Sequence, residues 1–346
     1  FKIITLAAAL EENKVDLEND HFYDPGHIEV AGSHLHCWKK GGHGSQTFLE
    51  VVQNSCNPGF VELGNRLGKE TLFEYINKFG FGKKTGIDLA GEGTGILFPL
   101  DKVGPLELAT TSFGQGVSVT PIQQVAAVSA AINGGILYQP YIAKELVNPE
   151  TGEVIMRKKP VAKERVISED TSETLRYALE SVVAQGTGKN AFVDGYRVGG
   201  KTGTAQKAKD GVYLENNHIV SFIGFAPADD PKIVIYLAID NPKGIIQFGG
   251  TVAAPIVGKM MEESMRVLGV EPREYQIEKE MTWLDTPLVE VPDLTGLSKQ
   301  ELFQQFYNLG VEAEGEGNTV INQTPEPGTK VKEGATIRVY LGDGTE

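Results

Sequence analysis

The chain has 346 residues, 40% hydrophobic and 23% charged, which excludes a disordered protein and supplies enough apolar material for a sizeable core. Thirty-two basic residues against forty-six acidic ones give a net charge of −14, so a phosphate backbone is repelled and no nucleic-acid partner is expected. No apolar run approaches the roughly 20 residues that span a bilayer, and the only two cysteines, Cys37 and Cys56, do not make a disulfide scaffold.

Residues 1–10 have helical spacing, yet the first residue is already apolar and nothing caps it, so the chain is expected to begin inside a helix. Residues 21–44 are rich in His and Gly and predict loops and short strands. Two helices follow, 45–55 and 57–79, broken at Pro58-Gly59. The Gly-rich stretch 80–118 predicts loops. Thr120-Pro121-Ile122-Gln123 is a helix start with a Thr cap, Pro in the first turn and Gln at the capping-box position; that helix stops at Asn133-Gly134-Gly135. Residues 168–185 form another amphipathic helix. Three strands are then predicted at 196–206, 218–226 and 232–240, joined by short turns that imply antiparallel pairing, and a closing helix runs from 251 to 268.

This order reads as an α/β layer structure, an antiparallel sheet flanked by helices. Residues 1–272 form the large domain, 273–286 a polar linker and 287–346 a small α+β unit. In the small unit, a strand at 288–291, a helix at 298–309 and strands at 319–323 and 336–341 are predicted. It has no Cys and no His.

Three clusters carry chemistry. Gly199-Gly200-Lys201-Thr202-Gly203-Thr204 satisfies a phosphate-loop pattern with Gly195, but no parallel strand precedes it and no helix follows, so the nucleotide reading fails. The alternative is a strand presenting Lys-Thr-Gly: Lys201 attracts a carboxylate, Thr202 adds a directional hydrogen bond and Gly203 lets a substrate backbone lie close. Ser55-Cys56-Asn57 lies between two predicted helices. Lys2 is the third cluster; a nucleophile one helical turn earlier, two places before Phe1, would share its helix face.

Lys2, Ser55-x-Asn57 and Lys201-Thr202-Gly203 stand in the order used by penicillin-binding transpeptidases and serine β-lactamases. Gly42-His43-Gly44, Phe113-Gly114-Gln115-Gly116, Ser118-Val119-Thr120-Pro121 and Gly224-Phe225-Ala226-Pro227 resemble the class B penicillin-binding proteins over residues 1 to about 270. Val291-Pro292, Gly296 and Gln323-x-Pro325-x-x-Gly328-x-x-Val331-x-x-Gly334 resemble a PASTA domain. One such module and the wording throughout are most similar to the sporulation-specific members of the family, with vegetative division or elongation enzymes as the alternative.

The resemblance implies a serine β-lactamase/D,D-peptidase-like fold, two of whose sheet strands come from upstream. It implies a D,D-transpeptidase that cross-links peptidoglycan stem peptides through a serine acyl-enzyme and is trapped by β-lactams. Lys2 is then the base, Ser55 and Asn57 hold it and relay protons, and Lys201, Thr202 and Gly203 bind the substrate carboxylate and backbone. The Thr204 N–H supplies half of the oxyanion hole. No cofactor and no metal are expected, since the spacings among His21, His27, His34, His36, His43 and Cys37 match no usual zinc pattern. The family implies an extracytoplasmic catalytic domain, a membrane anchor outside these residues and a membrane glycan polymerase as partner. Without the serine, these residues alone are expected to be inactive, by about a million-fold. Cys37 and Cys56 are either separate buried thiols or a redox pair; a non-catalytic penicillin-binding scaffold is the rival function.

Overall fold

The computed structural model describes residues 1–209, 212–279, 288–302, 309–332 and 335–343. Its first helix, α1 (Lys2–Glu11), contains the β-branched run Ile3-Ile4-Thr5, which lowers helix propensity. Packing overrides that: Ile3, Ile4, Leu6 and Ala7 to Ala9 are all buried, and the Thr5 hydroxyl donates to Ser112 O at 2.7 Å. A helix apolar on every side belongs in the middle of a core.

The His-rich segment folds as β1 (His21–Asp24), the hairpin β2 (His27–Val30) and β3 (Ser33–His36), and β4 (Gly44–Thr47), which returns to pair with β1. Ala31 and Gly32, at φ 49° and 77°, make the tight hairpin turn. α2 (Phe48–Gln53) opens with a Thr47–Glu50 capping box, and α3 (Asn57–Lys78) kinks at Gly68. Two expectations are corrected here. Residues 45–47 are strand, not helix, and the break between the helices falls at 54–56, because Pro58 is accommodated in the first turn of α3. Within the stretch expected to be loop lies α4 (Pro105–Ser112), where Glu107 accepts from the Gly104 N–H at 3.0 Å.

α5 (Pro121–Ile132) starts at its predicted capping box. Four short strands that were not predicted follow: β5 (Ile136–Tyr138), β6 (Glu145–Val147), β7 (Val154–Arg157) and β8 (Ala162–Arg165). They form the ribbons β5–β8 and β6–β7. α6 (Glu169–Gln185) is capped by Ser168.

The central sheet of the described residues is β9 (Gly199–Lys209), β10 (Val212–Ala226) and β11 (Ile233–Asp240), antiparallel, in the order β11-β10-β9. The predicted turn at residues 210–211 lies outside the described residues. Side chains of β10 alternate between faces, as a strand requires. Ile223 and Phe225 join the core around α1, α3, α5 and α6; Phe222 and Ala226 join a second core. The expected closing helix is split into α7 (Gly249–Val252) and α8 (Ala254–Val267), and α8 covers that second face. No helix among the described residues is long and apolar enough to cross a membrane.

The chain divides into the units Phe1–Glu280 and Met281–Glu346. Arg273 donates its N–H to Gly195 O at 2.7 Å and pairs with Asp229, so the start of the expected linker packs on the first unit. Residues 280–286 lie outside the described residues. The second unit contains β12 (Leu288–Glu290), α9 (Lys299–Leu302), β13 (Gly310–Glu314), β14 (Thr319–Thr324), β15 (Lys330–Lys332) and β16 (Thr336–Gly342). β13 and β15 were not predicted, and residues 303–308 of the expected helix lie outside the described residues. Val291, Leu294, Leu302, Val320, Ile337, Val339 and Leu341 fill its core.

One glycine shows how tightly the central sheet is packed. A Cβ on Gly200 would sit 2.5 Å from Phe222 Cζ and 2.7 Å from Ile223 O. Gly200→Ala is expected to destabilise the protein by about 1–3 kcal/mol through overpacking, seen as a lower midpoint in urea unfolding. An unchanged midpoint would show that the strand has room there.

Candidate active site

Lys2 is 9% exposed in the first turn of α1. Its amine reaches Ser55 O at 2.7 Å, Ser55 Oγ at 3.0 Å and Asn57 Oδ1 at 2.7 Å. An ammonium has three protons, and three acceptors meet it. Ser55 stands in the turn between α2 and α3 at φ 53°, a left-handed conformation unusual for a residue with a side chain. Such local strain costs on the order of 1–3 kcal/mol and is held by its surroundings. Asn57 donates through Nδ2 to His36 O at 3.1 Å, which fixes its amide so that Oδ1 faces Lys2.

Burial lowers the Lys2 pKa to about 8, against an opposing pull from the neighbouring Cys56 and Cys37 sulfurs. Lys201, 5% exposed on β9, is depressed well below the ordinary lysine range, first by burial and then by the Lys2 charge. Two amines buried within reach of each other's field cannot both hold a proton cheaply.

β9 is the edge of the described sheet, so one side of its backbone is open to an added extended segment. Lys201 Nζ lies 3.4 Å from Thr202 Oγ1, and Thr202 Oγ1 lies 3.2 Å from Thr187 Oγ1. Thr187 in turn donates to Gln53 O from its N–H at 2.9 Å and its hydroxyl at 3.2 Å. This chain ties the end of α2, and hence the Ser55 turn, to the Lys-Thr-Gly strand. Thr187 was missed from sequence; its signal is the Gly186-Thr187-Gly188 triplet, where a Cβ on Gly186 would sit 2.5 Å from Gln53 O. Thr204 is exposed, and its hydroxyl accepts from the Gly249 N–H at 3.2 Å. Gly203 lies against Ser221, and Gly249 packs on Gly203 and Ser221 so closely that a side chain at either glycine would clash.

Cys37 and Cys56 are both buried, free thiols. They face each other together with Asp24 and His43, and these four are the group among the described residues that could hold a metal ion. Burial raises the Asp24 pKa, but hydrogen bonds from His43, the Gly26 amide and both cysteines outweigh it and bring the value to about 2. Between the sulfurs, the Cys56 hydrogen bond pulls Cys37 down, while the same contact and burial push Cys56 up.

The structure therefore brings together Lys2, Ser55 and Asn57 by direct contact. Lys201 lies within range of the Lys2 charge, with Thr202, Gly203 and Thr204 following it along one strand. Lys2 ammonium is expected to titrate near pH 8 in 13Cε-lysine NMR, and folding stability is expected to rise from about pH 8 to 10.5 as the unfolded chain alone keeps that proton. A Lys2 midpoint above 10 would overturn the buried-amine description.

Comparison with known proteins follows this geometry. Residues 1–262 match the family described as the penicillin binding protein transpeptidase domain, and residues 289–343 match the PASTA domain. Stage V sporulation protein D of Bacillus subtilis (strain 168) is 69% identical over 346 residues, all of this chain and 54% of that protein. Penicillin-binding protein PbpB of Mycolicibacterium smegmatis is 36% identical over 265 residues, 74% of this chain and 40% of that protein. The chain thus spans about half the length of the curated relatives it matches. Among solved structures, penicillin binding protein 3 from Mycobacterium tuberculosis complexed with ampicillin superposes with TM-score 0.73 at 32% identity, covering 81% of this chain and 64% of that one. The transpeptidase domain of Burkholderia pseudomallei penicillin-binding protein 3 gives 0.70 at 31% identity, covering 79% and 80%.

Proposed function

The chain belongs to the penicillin-binding protein transpeptidase family, and from that membership we propose that it carries the active site of a class B peptidoglycan D,D-transpeptidase working through a serine acyl-enzyme. The observation that carries the reading is the buried Lys2 amine, 3.0 Å from Ser55 Oγ and 2.7 Å from Asn57 Oδ1, with Lys201 buried within its field.

The nucleophile in this reading is a serine two places before Phe1, on the same helix face as Lys2. Its oxygen attacks the penultimate D-Ala carbonyl of a stem peptide while neutral Lys2 takes its proton. A pKa near 8 rather than 10.5 makes the neutral amine about 300-fold more abundant at pH 7. Ser55 passes a proton to the departing D-Ala amine. Lys201 and Thr202 hold the terminal carboxylate, the glycine edge of β9 receives the peptide backbone, and the Thr204 N–H meets the developing oxyanion, a donor worth roughly 3–4 kcal/mol. An amine of a second stem peptide then displaces the serine, which recovers its proton. A β-lactam forms the same ester and is not released.

The 69% identity to a stage V sporulation protein supports synthesis of spore cortex peptidoglycan as the cellular role, ahead of vegetative division. The catalytic unit would then work outside the cytoplasmic membrane beside a membrane glycan polymerase. Lys2, Asn57 and Lys201 in contact or in range count against a purely scaffolding role. The facing sulfurs of Cys37 and Cys56 favour a redox pair. Losing two protons and two electrons to a disulfide oxidant would join them and pull on the residue between Ser55 and Asn57.

In the intact protein, Lys2→Ala and Asn57→Ala are each expected to slow acylation by a fluorescent penicillin by about 10²–10⁴-fold. The wild-type rate is expected to climb with pH through a midpoint near 8, as Lys2 loses its proton. Full acylation by the Lys2 variant, or a flat pH profile, would remove Lys2 from the base role.

A further inference from the structure

Beside the active site lies a second cluster built like a coordination shell. Asp24 ends β1, Cys37 follows β3, His43 lies in the turn between Gly42 and Gly44, and Cys56 caps α3. One ligand atom from each lies within 4.8 Å of all the others. His43 Nδ1 is 2.8 Å from Asp24 Oδ2, Cys37 Sγ is 3.4 Å from His43 Nδ1, and Cys56 Sγ is 3.3 Å from Asp24 Oδ2. Around a tetrahedral zinc ion with bonds of about 2.0–2.3 Å, neighbouring ligand atoms stand roughly 3.3–3.8 Å apart. Those three separations lie at or within about 0.5 Å of that range.

We propose that Asp24, Cys37, His43 and Cys56 bind one zinc ion when both cysteines are reduced. Two thiolates and an imidazole select a borderline-soft cation over magnesium or calcium. Four protein ligands leave no open position, so the site is structural. On binding, each cysteine still protonated releases its proton to solvent, the His43 ring moves the proton that meets Asp24 from Nδ1 to Nε2 so that Nδ1 can ligate, and Asp24 is already ionised.

The surrounding backbone supports the shell. Asp24 Oδ1 accepts from the Gly26 N–H at 2.8 Å, and Oδ2 from the His43 N–H at 3.1 Å, so the carboxylate is aimed before any ion arrives. Gly42 lies against Asp24 O and Gly26 N with no room for a side chain, which clamps the turn bearing His43. Because the four ligands come from separate elements, no sequence spacing announces them. The ion would staple the segment carrying Cys37 and His43 to the turn that presents Ser55 and Asn57.

The test is zinc titration of the reduced, EDTA-stripped intact protein against a chromophoric chelator. One tight zinc ion per chain is expected, with both thiols protected from Ellman's reagent. Cobalt in place of zinc should show a thiolate charge-transfer band. Cys37→Ser is expected to weaken zinc by 100-fold or more, whereas His34→Ala should leave it unchanged. The second variant controls for the exposed His27, His34 and His36 rings, 5.2–6.5 Å apart on the neighbouring hairpin. No tight zinc in the reduced wild type, a cobalt spectrum without the thiolate band, or binding lost with His34→Ala but kept with Cys37→Ser would each overturn the proposal. The wild-type stoichiometry, thiol protection and cobalt spectrum decide the matter even if a variant fails to fold.

Discussion

Everything at this site depends on keeping two lysine amines out of water and within each other's field. Burying one cation is costly, and burying two raises the cost until at least one loses its proton. Lys2 has three acceptors, so its proton can be shared along the contacts to Ser55 and Asn57. Among the described residues Lys201 has only the Thr202 hydroxyl at 3.4 Å, and burial and the Lys2 charge both push its proton off. A bound carboxylate alters that balance. Its charge favours protonated Lys201, and a protonated Lys201 favours neutral Lys2. Substrate binding and base formation then act in the same direction, which is a reason to place the two amines together.

The fold delivers this arrangement through close approaches between backbones. α1 is buried along nearly its whole length, so Lys2 in its first turn is itself held out of solvent. The glycines of β9 and α7 let strand, helix and α6 terminus come within side-chain exclusion distance, and the Gln53–Thr187–Thr202 chain locks the Ser55 turn to the strand edge. A small shift in any of these would separate groups that must meet to about 3 Å.

How much of this was legible varies with the kind of signal. The capping box at Thr120, the Ser168 cap and the alternation in β10 are local, so α5 and α6 appear where their residues place them, while β9 and β10 run past their predicted ends toward each other. The three polar clusters were legible as types of chemistry, while their meeting depends on tertiary packing. α4 was hidden because its eight residues lie in a Gly-rich surround and it is held by packing against α3. The ribbons β5 to β8 were hidden because most of their residues are exposed and show no alternation of burial. Thr187 was overlooked as one more residue in a glycine turn, since its role exists only when α2 and α6 end side by side.

The Asp24–Cys37–His43–Cys56 cluster connects these themes through charge. Thiolates at Cys56 and Cys37 favour a protonated Lys2, opposing the burial that lowers it. Three anionic ligands in one buried shell would therefore work against the base. A divalent cation among them cancels two of the three negative charges, leaves a residual charge of one, and replaces the Cys37 hydrogen bond that, with burial, holds the proton on Cys56. Oxidation of the pair removes the anionic sulfurs by a different route and gives up the ion. Because Cys56 lies between Ser55 and Asn57, metal loading and oxidation are alternative settings of one turn, and both act on the residues that hold the Lys2 amine.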